Sequence, residues 1–290
     1  MTSHTAVSPR TLLLTAVSMA FFATNSLIAR FALRDGQIDA VSFTVIRIFA
    51  GAAILSLLVL FRGGTVRELR TNGSAAASLA LFGYAILFSF AYVSLSAGTG
   101  ALVLFAAVQI TMLGAGMARG ERPRHSEWIG LSLAFAGLVY LVSPGLTAPS
   151  PIGTALMSLA GAGWGLYSMA ARGFRSPIAA TAGNFVRATP LAAATTMALW
   201  MSGRGHASWQ GTALSATSGA FTSGLGYIIW YTALKDLRTS RAAIVQLTVP
   251  LLAATAGVLF MGEKLSVRLV VASAAILGGV AWALVGKSRA

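Results

Sequence analysis

Residues 242–263 read AAIVQLTVPLLAATAGVLFMGE. The stretch is apolar and long enough to cross a bilayer as a helix, which takes about 20 residues. It carries one amide, Gln246, and one proline, Pro250, in its first half. An amide inside hydrocarbon needs a partner, so Gln246 is expected to face the protein interior or a wet cavity. A proline removes a backbone hydrogen bond, a defect tolerated in a spanning helix where neighbours or water repair it. Ala253, Ala254, Ala256 and Gly257 let another helix approach closely. The stretch ends at Gly262-Glu263, followed by Lys264, and residues 101–121 form a similar run that also ends on Gly-Glu. The chain thus reads as two halves of one membrane-embedded design.

The composition extends this reading to the whole chain. Of 290 residues, 56% are hydrophobic and 10% charged, against about 25% charged in a soluble domain. The apolar residues come in runs of spanning length, the pattern of an all-α polytopic membrane protein. The net charge of +14 does not imply nucleic acid. Arg and Lys fall mostly in short loops, where they act as orientation signals and meet anionic headgroups of membrane lipids. With no cysteine, a disulfide framework, cysteine-ligated metals and a Cys nucleophile are excluded. The first apolar run, 11–33, is too long for a signal-peptide core and has no small-residue cleavage site, so no cleavable signal is expected.

Ten spans are expected, near 11–33, 41–61, 74–96, 99–118, 126–143, 151–171, 178–201, 210–234, 241–261 and 267–286. With a cytoplasmic N-terminus, the inside segments hold 14 Lys and Arg and the outside segments 5. Both termini are therefore expected in the cytoplasm. An offset of 142 places Ser26 on Ser168, Phe22 on Trp164, Arg30 on Arg172 and Gly120-Glu121 on Gly262-Glu263. Arg47 pairs with Arg187 if the first connection loses two residues. Two units, 1–145 and 146–290, then hold five spans each. Five is odd, so the second unit is inserted upside down relative to the first. Such inverted repeats place a substrate site near the bilayer midplane between the halves.

Further features fall in a fixed order: Trp164-Gly165 opening a half, Arg47 and Arg187 early in the second span of each half, Tyr231-Thr-Ala-Leu234 closing the eighth span, and Pro250 a helix length before Gly262-Glu263-Lys264. As a set they resemble the drug/metabolite transporter superfamily of EamA type, over nearly the whole chain. Within it the chain looks most like the YddG-type aromatic amino acid exporters. The resemblance implies ten helices in two inverted five-helix repeats, a bacterial inner-membrane location, a small-molecule substrate and no cofactor; a monomer is expected. The first half departs from the pattern, with Phe22-Ala23 in place of Trp-Gly and Val108 in place of the proline. The two halves are therefore expected to contribute unequally to the site.

All seven acids, Asp35, Asp39, Glu68, Glu121, Glu127, Asp236 and Glu263, fall in loops or at span ends. Proton coupling usually needs an intramembrane ionisable acid or His. Its absence favours facilitated export, with coupling through backbone carbonyls or a span-end acid as the alternative. Arg47 and Arg187 are the only charges well inside spans. Either they meet a substrate carboxylate, or they snorkel or bond free carbonyls; their placement on opposite sides favours a gating or structural role. Glu121 and Glu263 end equivalent helices and read as structural, with gating as their possible function.

Buried amides must face another helix or a wet path. Asn25 and Gln246 are the substrate-site candidates among them, with Gln246 one turn from Pro250. Aromatic residues add Tyr84 and Tyr92 in the third span, Trp164 and Tyr167 in the sixth, and Tyr227 and Trp230 in the eighth. Each set shares one helix face. Trp128, Trp200, Trp209 and Trp282 lie near span ends and read as an interfacial belt. Mid-span Trp164 and Tyr84 fit a belt less well and point to an aromatic-lined cavity. No metal-spaced His cluster or intramembrane acid–base pair supports a membrane enzyme, and the loops are too short for a scaffold's extramembrane domain. The expected function is export of small metabolites, aromatic amino acids foremost, by alternating access. Export of aliphatic amino acids, nucleobases or a drug, with proton coupling open, forms the alternative.

Overall fold

A computed structural model describes residues 8–118, 125–143, 145, 148–171, 176–237, 245–246 and 248–285. Among them the chain is helical and without a strand; a lone antiparallel bridge joins Ile38 to Ala207. The helices are α1 (Pro9–Arg34), α2 (Ala40–Phe61), the short α3 (Val66–Thr71), α4 (Ala75–Tyr92), α5 (Ala97–Ala118), α6 (His125–Val142), α7 (Pro151–Ala171) and α8 (Pro177–Met201). Then α9 (Trp209–Thr217) runs through a π-helical segment (Ser218–Leu225) into α10 (Gly226–Leu234), followed by α11 (Thr248–Met261) and α12 (Val267–Val285). Val245 and Gln246 are also helical. The starts follow local chemistry. Ser8, Asp39, Thr65, Ser74, Ser176 and Ser208 each accept a hydrogen bond from a first-turn amide of the helix they precede, satisfying a donor that has no partner within the helix.

Among the described residues three helices, Pro9–Arg34, Ala40–Phe61 and Ala75–Tyr92, are long and apolar enough to cross a membrane. Ala97–Met112, Trp128–Leu141, Thr248–Met261 and Val267–Gly279 are shorter apolar helices. One expected boundary shifts, and one expected helix winds differently. The third span stops at Tyr92 rather than 96, because a turn at 93–96 separates α4 from α5, and α5 begins two residues before the expected 99, taking in Gly98. The eighth is not uniformly α-helical; eight of its residues wind as a π-helix.

Packing runs mainly between the two halves of the chain. α1 lies on α10 and α11, α2 on α8 and the π segment, α4 on α7, α5 on α7 and α11, and α6 on α12. Exchanging the halves leaves this pattern unchanged. Under that exchange α1–α10 corresponds to α4–α7 and α1–α11 to α5–α7, while α2–α8, α5–α11 and α6–α12 correspond to themselves. Small residues make the seams possible: a Cβ at Gly98 would press on Ala254, and one at Gly161 on Leu104 and Ala107. The outside of the bundle is apolar, with Phe135, Met197, Phe221, Leu259 and Phe260 all exposed. Such a surface is a liability in water and suits lipid.

Candidate functional site

Five helices bring aromatic side chains to one point. Phe22 comes from α1, Tyr84 and Phe88 from α4, Phe105 from α5, Trp164 from α7 and Tyr227 from α10; with Asn25, Ser26 and Leu104 they line a cavity. The four-residue spacing of Tyr84, Phe88 and Tyr92 puts them on one face of α4, as helix geometry requires. Trp164 is the hub. Its ring centroid lies 5.8 Å from Phe22, 5.1 Å from Tyr84, 4.7 Å from Tyr227 and 5.7 Å from Tyr167. Phe22 meets Trp164 edge to face, and edge-to-face or offset pairs each contribute about 0.5–1.5 kcal/mol beyond area burial. The space enclosed is about 10 Å³, the room of one water molecule. Any larger ligand requires these side chains to part.

A single formal charge backs this wall. Arg47 of α2 is 2% exposed. Its Nε donates to Ser223 Oγ at 2.8 Å, and its Nη2 donates to Tyr84 OH at 3.1 Å and Tyr227 OH at 3.2 Å. Its guanidinium carbon lies 4.9 Å from the Phe88 ring centroid and 5.2 Å from that of Tyr84, within cation–π range. Arg47 therefore does not snorkel; a shell of hydroxyls and rings holds it in the interior. The π segment makes room for it. A Cβ at Gly219 would collide with the backbone of Arg47, so the missing side chain lets α2 and the π segment touch. Along that segment Ser218 and Thr222 donate to Asn25 Oδ1, at 2.7 and 2.9 Å, which fixes the Asn25 amide at the cavity rim.

The remaining candidates lie in a second layer or beyond. Tyr92 packs edge to face on Phe88 at 4.7 Å and donates to Ala97 O at 3.4 Å. Trp230 lies 5.9 Å from Phe22. Tyr167 touches Trp164 on one side and Tyr231, 6.3 Å away, on the other. Gln246 and Pro250 are buried but are not among the residues lining the cavity. Arg187 stays outside the cluster and donates to the carbonyls of Arg70 and Asn72, where α3 ends, as cations do at a helix C-terminus. Glu121 lies outside the described residues. Trp128, Trp200, Trp209 and Trp282 are exposed.

Glu263 forms a tie at one end of the bundle. Gly262, at φ +64°, turns the chain after α11. Both Glu263 carboxylate oxygens then accept from Ala97 N, at 3.1 and 3.0 Å, at the start of α5. Arg30 Nε pairs with Glu263 at 3.4 Å, while Arg30 Nη1 donates to the carbonyls of Tyr92 and Val93 at the end of α4. Arg34 donates to Met261 O, closing α11. Four helix ends are thus joined through two arginines and one acid, each sign placed where the helix dipole favours it. At the other end Asn184 Oδ1 accepts from Ser74 N at 2.9 Å, and Thr11 donates to Asp236 at 3.0 Å.

Phe105 and Leu104, and the hydroxyls of Thr222 and Ser223, are site residues that the sequence pattern did not single out. Phe105 sits one turn before Gln109, in a run too uniformly apolar for a face to stand out. Thr222 and Ser223 owe their positions to the π winding, which shifts the register of the side chains along it. The density of glycine and serine in 215–226 was its one sequence signal.

Comparison with known proteins gives the class to which this apolar helical bundle belongs. The EamA-like transporter family profile matches the chain twice, over residues 9–143 and 151–285. The chain belongs to this family, whose members are transporters. It is 49% identical to an uncharacterised protein of Pseudomonas aeruginosa, over 94% of this chain and 93% of that one. It is 25% identical to an uncharacterised transporter of Archaeoglobus fulgidus, over 70% of this chain and 74% of that one. A crystal structure sharing 22% identity superposes with a TM-score of 0.71, covering 98% of this chain and all of the other, and so shares its fold.

Proposed function

We infer that the protein is a ten-span exporter of the bacterial inner membrane, with both termini cytoplasmic, that carries aromatic amino acids by alternating access. The convergence of Phe22, Tyr84, Phe88, Trp164 and Tyr227 on one interior cavity carries the reading. These rings come from both halves of the chain, so relative movement of the halves opens or closes the space between them. The packing pattern that survives exchange of the halves supports two repeats, 1–145 and 146–290. An odd span count in each supports their inversion. The tie through Arg30, Arg34 and Glu263 serves as the gate at the outer end, and Pro250 softens α11 near its other end. Arg187 is structural on this reading, and no acid lining the cavity is available to exchange a proton for substrate.

Binding to the folded state raises apparent stability by mass action, by about 2.7 kcal/mol at a ligand concentration one hundred times Kd. Purified protein is therefore expected to show a raised thermal midpoint with phenylalanine, tyrosine or tryptophan, and little change with leucine or with nucleobases. A midpoint raised only by leucine or a nucleobase replaces the aromatic reading with export of that class.

A further inference from the structure

We propose that the site recognises its solute as an anion: Tyr84 and Tyr227 present their hydroxyl hydrogens to a carboxylate, and Arg47 supplies the positive charge behind them. This rests on the aromatic site proposed above and specifies what its ligand must carry. Two observations converge on it. First, Arg47 is a buried cation without a counter-ion. Among the described residues no carboxylate touches it, and the ion pairs found there, Arg30–Glu263 and Arg34–Asp35, lie elsewhere. Its Nη1 is buried and has no hydrogen-bond partner. An uncompensated charge in an apolar interior is costly, and such residues mark binding paths.

Second, the two hydroxyls have hydrogens to give. Each accepts from Arg47 Nη2, which uses a lone pair and leaves the hydroxyl hydrogen. Neither hydroxyl donates to an acceptor elsewhere among the described residues. Even if one donates to the other, one hydrogen is left. Both side chains line the cavity. A hydroxyl polarised by a guanidinium is a strengthened donor, and a carboxylate is the acceptor that offsets the charge. No acid lines the cavity, and Asn25 Oδ1 already accepts two hydrogen bonds. An ammonium group therefore has no anionic partner. The ligand class is an aryl-bearing carboxylate, with the carboxylate required and the amine dispensable.

The test measures the thermal midpoint of the intact purified protein with L-phenylalanine, 3-phenylpropionate, phenethylamine and 4-methylpentanoate in turn. 3-Phenylpropionate is expected to bind within about tenfold of phenylalanine and phenethylamine at least about a hundredfold more weakly, the steps that 1.4 and 2.8 kcal/mol represent. Stabilisation by phenethylamine but not 3-phenylpropionate overturns the anion proposal and leaves the aromatic reading standing. Stabilisation by 4-methylpentanoate but neither phenyl acid does the reverse. No response to any of the four overturns both. Tyr84→Phe combined with Tyr227→Phe keeps the rings and removes both hydroxyls; because Arg47 Nη2 then loses both acceptors, the ligand-free thermal midpoint of this variant is measured first to establish that it folds. Its affinity for 3-phenylpropionate is expected to fall at least tenfold, and an affinity equal to the parent's overturns the proposal.

Discussion

At the scale of single residues, the burial of Arg47 separates a structural role from a ligand-facing one. A buried charge replaced by an apolar side chain of similar volume often leaves stability unchanged or raises it, by about 1–4 kcal/mol. Arg47→Met is therefore expected to give a thermal midpoint at or above the parent's, with ligand stabilisation lost. A variant that still responds fully to phenylalanine would make Arg47 a packing residue. The sequence already separated some aromatic roles. Mid-span Trp164 and Tyr84 are at the cavity, while Trp200 and Trp209, near helix ends, are exposed. It could not separate Arg47 from Arg187, which have matching positions in the two halves. Their surroundings decide the outcome. The carbonyls at the end of α3 draw Arg187 outward, and Ser223, Tyr84 and Tyr227 hold Arg47 inside.

At the scale of elements, the π segment and the Glu263 tie carry the predictions. Gly219→Ala places a methyl against the backbone of Arg47, an overpacking that costs about 1–3 kcal/mol. It is expected to lower the thermal midpoint and weaken ligand stabilisation. Gly278→Ala in α12 meets open space and is expected to be neutral; equal effects from both would show that the π segment's close approach is unimportant. Glu263→Gln removes the charge that joins Arg30 to α5. The chain has no cysteine, so a single Ser26→Cys substitution places the molecule's one thiol at the cavity and reports access to it. Adding Glu263→Gln is expected to raise labelling of that thiol by an impermeant reagent from the Glu263 side about fivefold, for about 1 kcal/mol lost from the tie. An unchanged rate would remove Glu263 from the gate. Pro250→Ala adds a backbone donor in the first turn of α11 and is expected to impair transport without loss of folded protein, whereas normal transport would make Pro250 a packing residue. Helix-forming stretches were legible in the sequence because apolar runs act locally. The π winding was not, because eight residues rich in glycine and serine support either winding until α2 and α1 pack on them.

At the scale of the whole molecule, helices from the first half of the chain pack mainly on helices from the second, and among the described residues the interior between them holds rings, hydroxyls and the buried Arg47. On the proposed reading such an interior takes an apolar solute with a polar end, and the residues lining the cavity include no carboxylate and no histidine. The measurement closest to this account is uptake of radiolabelled L-phenylalanine by liposomes containing the purified protein, under an imposed phenylalanine gradient with and without a pH gradient. The account predicts saturable uptake above that of empty vesicles, blocked by excess unlabelled tryptophan and indifferent to the pH gradient. Uptake equal to that of empty vesicles would contradict the aromatic substrate, and uptake driven by the pH gradient would contradict uncoupled export.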